Sequence, residues 1–271
     1  MTLIVGVKCQ DGIVLGADST ATYVTPLGQP TIRQDTATKL HIATDASPKL
    51  AIAVSGPISL SQSYCTEVDS YIRHHGNRIV WRNIQQAKTE LTEMFWKHAG
   101  PAWDRAASVA RVVGPSAVNE CNHHTATMFA LDDIPHLIQF SAHCNAEEVT
   151  EDLPFVSLGS GQLSADPFLA FIRRIFWPDG LPPLLDGKIA TIWTLKEVIR
   201  HTPGGIGGDI RVSVLEKDRN AQWKCSELTK EEIGDHLEAL SERENRMREH
   251  PVQVAEPIPE AEPSAKVSAA S

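Results

Sequence analysis

The sequence predicts an α+β fold in which two stacked, mostly antiparallel sheets are covered by helices on both outer faces, in one domain over residues 2–250. Three observations carry that expectation. Apolar segments of strand length fall into three groups along the chain. Segments with helical spacing come in pairs between those groups. The first apolar strand follows Met1 almost directly.

Leu3 to Val7 and Ile13 to Ala17 read as buried strands, joined by Gln10-Asp11-Gly12, which contains the Asp-Gly pair that tight hairpins favour. A polar stretch, TATYVTPLGQPTIRQDTATK, is too rich in Thr, Gly and Pro for a helix. Lys39 to Ile42 and Leu50 to Val54 are the next strands, ending at Ser55-Gly56-Pro57. Helical spacing then takes over: Leu60, Tyr64, Val68, Tyr71 and Ile72 share one face, and Ile84, Ala87, Leu91, Met94 and Phe95 share another. His74-His75 ends the first of these in solvent.

From Thr125 the period returns to two. TATMFAL, PHLIQFS and LPFVSLG are strand candidates, the first two joined by Asp132-Asp133. Phe168, Phe171, Ile172 and Ile175 mark a third helix, closed by Pro178-Asp179-Gly180, and Ile189 to Ile199 a fourth. DIRVSVLE and AQWKCSEL form a closing strand pair, and Thr229 caps a charged helix starting at Lys230-Glu231-Glu232. Residues 251–271, rich in Pro, Ala and Glu without an apolar period, are expected to be a disordered tail.

Composition removes several function classes. The chain has 271 residues, 42% apolar and 22% charged, which is ordinary for a soluble globular protein. A net charge of −9 argues against nucleic-acid or membrane-surface binding. No apolar run reaches the roughly 18 residues of a membrane span. Lys8 interrupts the apolar start, so a signal peptide is not expected. The five scattered cysteines are expected to be reduced thiols in a cytoplasmic protein.

Chemistry concentrates at the N-terminus. Methionine before a small residue is usually trimmed, which would leave Thr2 with a hydroxyl and a free amine on one residue. An α-amine, with an ordinary pKa of about 7.7–8.0, is partly unprotonated near neutrality and can serve as general base for its own hydroxyl. The terminus must then be held rigidly, which the strand Leu3–Val7 provides.

TLIVGVKCQDGIVLGADSTAT, TKLHI, AIAVSG, LGSG and GGDI, in that order, resemble the proteasome β-subunit family, with the bacterial proteasome homologues nearest and the HslV peptidase also similar. The resemblance covers residues 2–217. It implies a four-layer αββα sandwich of the N-terminal-nucleophile hydrolase type. It also implies a threonine-type endopeptidase that needs no metal or organic cofactor. Carried over motif by motif, Thr2 is the nucleophile, Asp18 and Lys39 an ion pair beside it, Gly56 the oxyanion amide, and Ser160 the group orienting the terminal amine. Ala21 and Thr22 would meet a peptide substrate lying as an added strand. Ala21, Ala37, His41, Val54 and Ile58 would surround the side chain next to the cut. The resemblance further implies a homo-oligomer of two stacked rings of six or seven subunits, with seven favoured. An ATP-driven unfoldase partner is expected by analogy.

Three features depart from the family pattern. The segment between Thr22 and Lys39 is longer. Pro203 and Ile206 stand where an Asp and a Ser precede the Gly-Gly pair, although Ile206-Gly207-Gly208-Asp209-Ile210 resembles the HslV version of this loop. The C-terminal extension is also long. These departures leave two alternatives, a catalytically inactive ring subunit and an amidase acting on small molecules.

Other signals have simpler readings. Lys39 could be a surface lysine, and Ser160 could be a helix N-cap. Cys121, His123, His124, His143 and Cys144 have zinc-ligand chemistry, but their spacing matches no common zinc module. The glycine-rich run at 204–208 precedes a strand, so a tight turn is expected and not a phosphate cradle.

Overall fold

The computed structural model describes residues 1–24, 30–43, 49–76, 78–114, 118, 121–202 and 205–249. The expected tail at 251–271 and Pro203 lie outside them. The described residues form a four-layer αββα sandwich of the N-terminal-nucleophile type.

One sheet has the order β10-β1-β2-β11-β12, where β1 is Ile4–Lys8, β2 Gly12–Ala17, β10 Phe155–Leu158, β11 Arg211–Lys217 and β12 Trp223–Glu227. The other runs β5-β6-β7-β8-β9, with β5 Leu40–Ile42, β6 Leu50–Ser55, β7 His124–Leu131, β8 Ile134–Phe140 and β9 Ala146–Glu148. Every pairing is antiparallel. Helices α3 (Gln162–Phe176), α4 (Leu184–His201) and α5 (Lys230–Glu249) cover the first sheet; α1 (Ile58–His74) and α2 (Ile84–Val113) cover the second.

Alternation along the strands sorts side chains into three apolar layers. Leu3, Val5 and Val7 face α3 and α4, while Ile4 faces the opposite sheet. Ile52 and Val54 face α1 and α2, while Ala51 and Ala53 face inward. Small alanines on the inner face of β6 let the two sheets approach.

The first hairpin closes with Cys9 N–H donating to the Gly12 carbonyl (2.8 Å). Its tip then does a second job. The Asp11 carboxylate accepts from Leu184 N–H (2.9 Å), satisfying an orphan donor at the start of α4. The capping box expected at Thr229 is present: its hydroxyl accepts from Glu232 N–H (3.2 Å), and the Glu232 carboxylate accepts from Thr229 N–H (2.7 Å).

Three elements differ from expectation. The polar stretch after Ser19 is no helix, but it pairs with itself as β3 (Ala21–Val24) and β4 (Pro30–Gln34), a separate two-stranded ribbon. Strand β9 was not foreseen. Helix α2 continues well past Phe95, through Gly100-Pro101 to Val113, because Ala99, Trp103 and Ala106 extend its buried face. Gly205 and Gly208 have φ of +78° and +73°, while Gly204 lies outside the described residues. Cys9, Cys65, Cys144 and Cys225 are free thiols, and all of these but Cys65 are buried, as is Cys121.

Candidate active site around Thr2

Strand β1 lies between β10 and β2, and this fixes Thr2 from both sides. Leu3 is fully buried, and its N–H donates to the Asp18 carboxylate (2.9 Å) while its carbonyl accepts from Asp18 N–H (3.2 Å). The Thr2 carbonyl accepts from Gly161 N–H (3.2 Å), and Thr2 N–H donates to Ser160 Oγ (3.1 Å). Gly159 (φ +93°) is required here, since a Cβ would come within 2.4 Å of the Thr2 carbonyl oxygen.

Lys39 enters from the end of β5. Its Nζ donates to Asp18 Oδ1 (2.7 Å) and to the Met1 carbonyl (3.2 Å). Both side chains are buried, with relative exposures of 8% for Lys39 and 0% for Asp18. The surface reading of Lys39 is therefore excluded. Burial holds the Lys39 pKa below its ordinary value, and Asp18 pulls it partly back. Burial, then Lys39, likewise lowers the pKa of the Met1 amine, opposed by Asp18.

Asp18 is held in turn by backbone donors. Its Oδ2 accepts from Gly207 N–H (3.1 Å) and Thr20 N–H (3.3 Å). Ile206, one of the departures from the family pattern, is buried against Gly161. Sequence reasoning missed the Gly207 amide, as well as Asp35, whose carboxylate accepts from the Thr20 hydroxyl (2.8 Å) and whose carbonyl accepts from the Ser19 hydroxyl (2.7 Å). Ser160 does not cap α3; Gly161 occupies that position, leaving the Ser160 hydroxyl on Thr2.

Backbone bonds link some of the other expected residues to this centre. Val54 N–H donates to the Lys39 carbonyl (2.9 Å), which places Gly56, just beyond β6, two residues from that link. Ala37 N–H donates to the Ser19 carbonyl (2.7 Å), tying the approach to Lys39 to the segment leading into Ala21 and Thr22. Ala21 and Val54 are buried, and the Thr22 hydroxyl is buried with no partner among the described residues. Ile58, 37% exposed, opens α1. His41 is turned to α1, where its Nε2 meets the Asp69 carboxylate (2.9 Å).

The zinc-type residues are not gathered as ligands. His123 Nε2 and Cys144 Sγ approach to 3.7 Å, but the Cys121 thiol faces the Ala102 carbonyl (3.2 Å) and His143 stacks on Trp103. Among the described residues no three His, Cys, Asp or Glu side chains are placed to hold a metal. A cleft of about 480 Å³ between α1 and α2 contains no residue of the Thr2 centre. No helix among the described residues is long and apolar enough to cross a membrane.

No protein-family model matches the chain, and no curated protein matches it. Solved structures do. Anbu (ancestral beta-subunit) from Yersinia bercovieri is 14% identical with a TM-score of 0.62, over 93% of this chain and 98% of that one. Anbu from Pseudomonas aeruginosa, solved as a helical assembly, is 17% identical at a TM-score of 0.62, over 93% and 98%. A Gly-1 mutant of Anbu from Hyphomicrobium sp. strain MC1 is 15% identical at 0.61, over 94% and 99%. These likenesses show a shared, proteasome-like fold. They correct the sequence-based placement among proteasome β-subunits nearest the bacterial homologues: these three structures are Anbu proteins, and at 14–17% identity they show common architecture and not membership of that family.

Proposed function

We propose that the chain is a threonine-type endopeptidase subunit acting through Thr2 once Met1 is removed. The reading rests on one observation. Thr2 N–H donates to Ser160, and the buried Lys39–Asp18 pair, from other parts of the chain, bonds the flanking Met1 carbonyl and Leu3 N–H. With Met1 gone, the Thr2 amine takes the hydroxyl proton and Oγ attacks the substrate carbonyl. The resulting oxyanion lies at the Gly56 amide. The amine returns the proton to the leaving nitrogen as the peptide C–N bond breaks, and water then hydrolyses the acyl ester. Lys39 stabilises the unprotonated amine and the developing alkoxide, and Ser160 orients the amine.

A peptide is the substrate that suits the site. Backbone groups of Ala21 and Thr22, at the start of the β3–β4 ribbon, can pair with an extended chain. Ala21, Ala37, His41, Val54 and Ile58 are the residues proposed to surround its side chain. The subunits of this reading are homo-oligomeric. A helical assembly is known for the Pseudomonas neighbour, stacked rings are the expectation from sequence, and electron microscopy of the purified particle separates the two. An ATP-driven unfoldase would feed such a chamber.

A second reading, a subunit without activity, is motivated by Pro203 and Ile206, which stand where the family pattern has an Asp and a Ser. While Met1 stays, Thr2 nitrogen is an amide and cannot act as base. Intact-mass measurement before and after treatment with an epoxyketone, which closes on both hydroxyl and amine of a terminal threonine, decides between them. Loss of Met1 with one adduct per subunit, absent in Thr2→Ala, is the expected result. Retained Met1, or a free Thr2 that never reacts, would overturn the peptidase reading.

A further inference from the structure

Gly56, the proposed oxyanion amide, has φ of +115°, and its conformation is set from one side. A Cβ there would lie 2.7 Å from the Asn122 carbonyl oxygen and 2.7 Å from His123 Cβ, so the 122–123 backbone is pressed directly against it. The β6–β7 register continues to this point, with Ser55 opposite His124.

His123 is held on both ring nitrogens. Its Nδ1 lies 2.9 Å from the Cys121 carbonyl, which can only accept, so Nδ1 carries the proton. Its Nε2 is then the acceptor for the Tyr64 hydroxyl of α1 at 2.8 Å, with Cys144 Sγ at 3.7 Å. Exposures are 1% for His123 and 0% for Tyr64 and Cys144. Burial lowers the His123 pKa and keeps the ring neutral, consistent with this donor–acceptor pattern. Phe95 packs against the Tyr64 ring, with centroids 4.6 Å apart. A buried polar network with every partner in place makes a rigid support.

Building on the peptidase reading, we propose that His123, braced by Tyr64, is a positioning residue that fixes the Gly56 amide toward the oxyanion. It touches no reacting atom. Its effect belongs to the transition state, because the donor must be preorganised where charge develops and matters little to ground-state binding.

The test compares wild type, Tyr64→Phe and His123→Gln on a fluorogenic peptide, with working sites counted by epoxyketone adduct mass. Tyr64→Phe removes one hydroxyl and keeps the packed ring. Complete loss of an oxyanion donor costs about 10²–10³ in kcat, so a loosened donor is expected to cost about tenfold per titrated site, with KM unchanged. Affinity for a peptide aldehyde, whose hemiacetal uses the same amide, is expected to fall by the same factor. His123→Gln is expected to lose more; should it fail to fold, Tyr64→Phe decides. Wild-type kcat per titrated site in Tyr64→Phe, whatever its melting temperature, overturns the proposal while leaving the peptidase reading standing. A wild type that neither turns over nor forms an adduct overturns both.

Discussion

Asp18 organises the candidate site by accepting four hydrogen bonds at once. Oδ1 takes Lys39 Nζ and Leu3 N–H; Oδ2 takes Gly207 N–H and Thr20 N–H. In Asp18→Asn the lysine stays buried and loses its counter-charge. Breaking a buried pair from one side costs about 3–5 kcal/mol, measurable by denaturant unfolding near neutral pH. The pH dependence follows from burial, which already lowers the Lys39 pKa while Asp18 opposes it. Without Asp18 the folded-state value falls further below the unfolded value of about 10.4, so the penalty is complete below the folded pKa. As pH rises between the two values the folded lysine sheds its proton first, and the deficit relative to wild type should shrink. A deficit that is flat with pH would show that Lys39 is not the stranded charge.

At the scale of elements, caps and faces explain most of what forms. Helix α5 starts at the reciprocal pair of Thr229 and Glu232 and docks through Ile233 and Leu240. Thr229→Ala is expected to cost about 1 kcal/mol. Hydrogen exchange should rise in the first turn of α5 and stay unchanged in β1 and β2. Elements of this kind were legible because periodicity and cap residues are written in side chains. The hairpin β3–β4 was not, since its prolines and threonines carry no alternating apolar pattern, and it belongs to neither main sheet. Helix α2 was read only as far as Phe95, yet Ala99 and Trp103 go on packing beyond it. Thr2 bonds Ser160, and Lys39 bonds Asp18, which in turn bonds Leu3 N–H. The loop of Gly207 was named, but its amide as a donor to Asp18 was not, because a backbone N–H has no residue signature. The resemblance found in sequence reached the architecture and overstated the kinship, as the low identity to the Anbu structures shows.

For the whole molecule, three apolar layers close around residues that begin at Leu3 and end at Leu240. Removing residues 251–271 is therefore expected to leave the thermal midpoint unchanged, as read by calorimetry. A clear drop would mean that the segment contributes to the folded core. The span of the Asp18–Gly207 bond, 189 residues, sets a further constraint. The parts that would arm Thr2 come from the first strand, from Lys39, from Ser160 and from the turn before β11, so they are synthesised at widely separated times. While the ribosome is still making the middle of the chain, Asp18 lacks its Gly207 donor and Thr2 lacks Ser160. On the peptidase reading, a nascent subunit would therefore carry no complete site until the segment bearing Gly207 has been made.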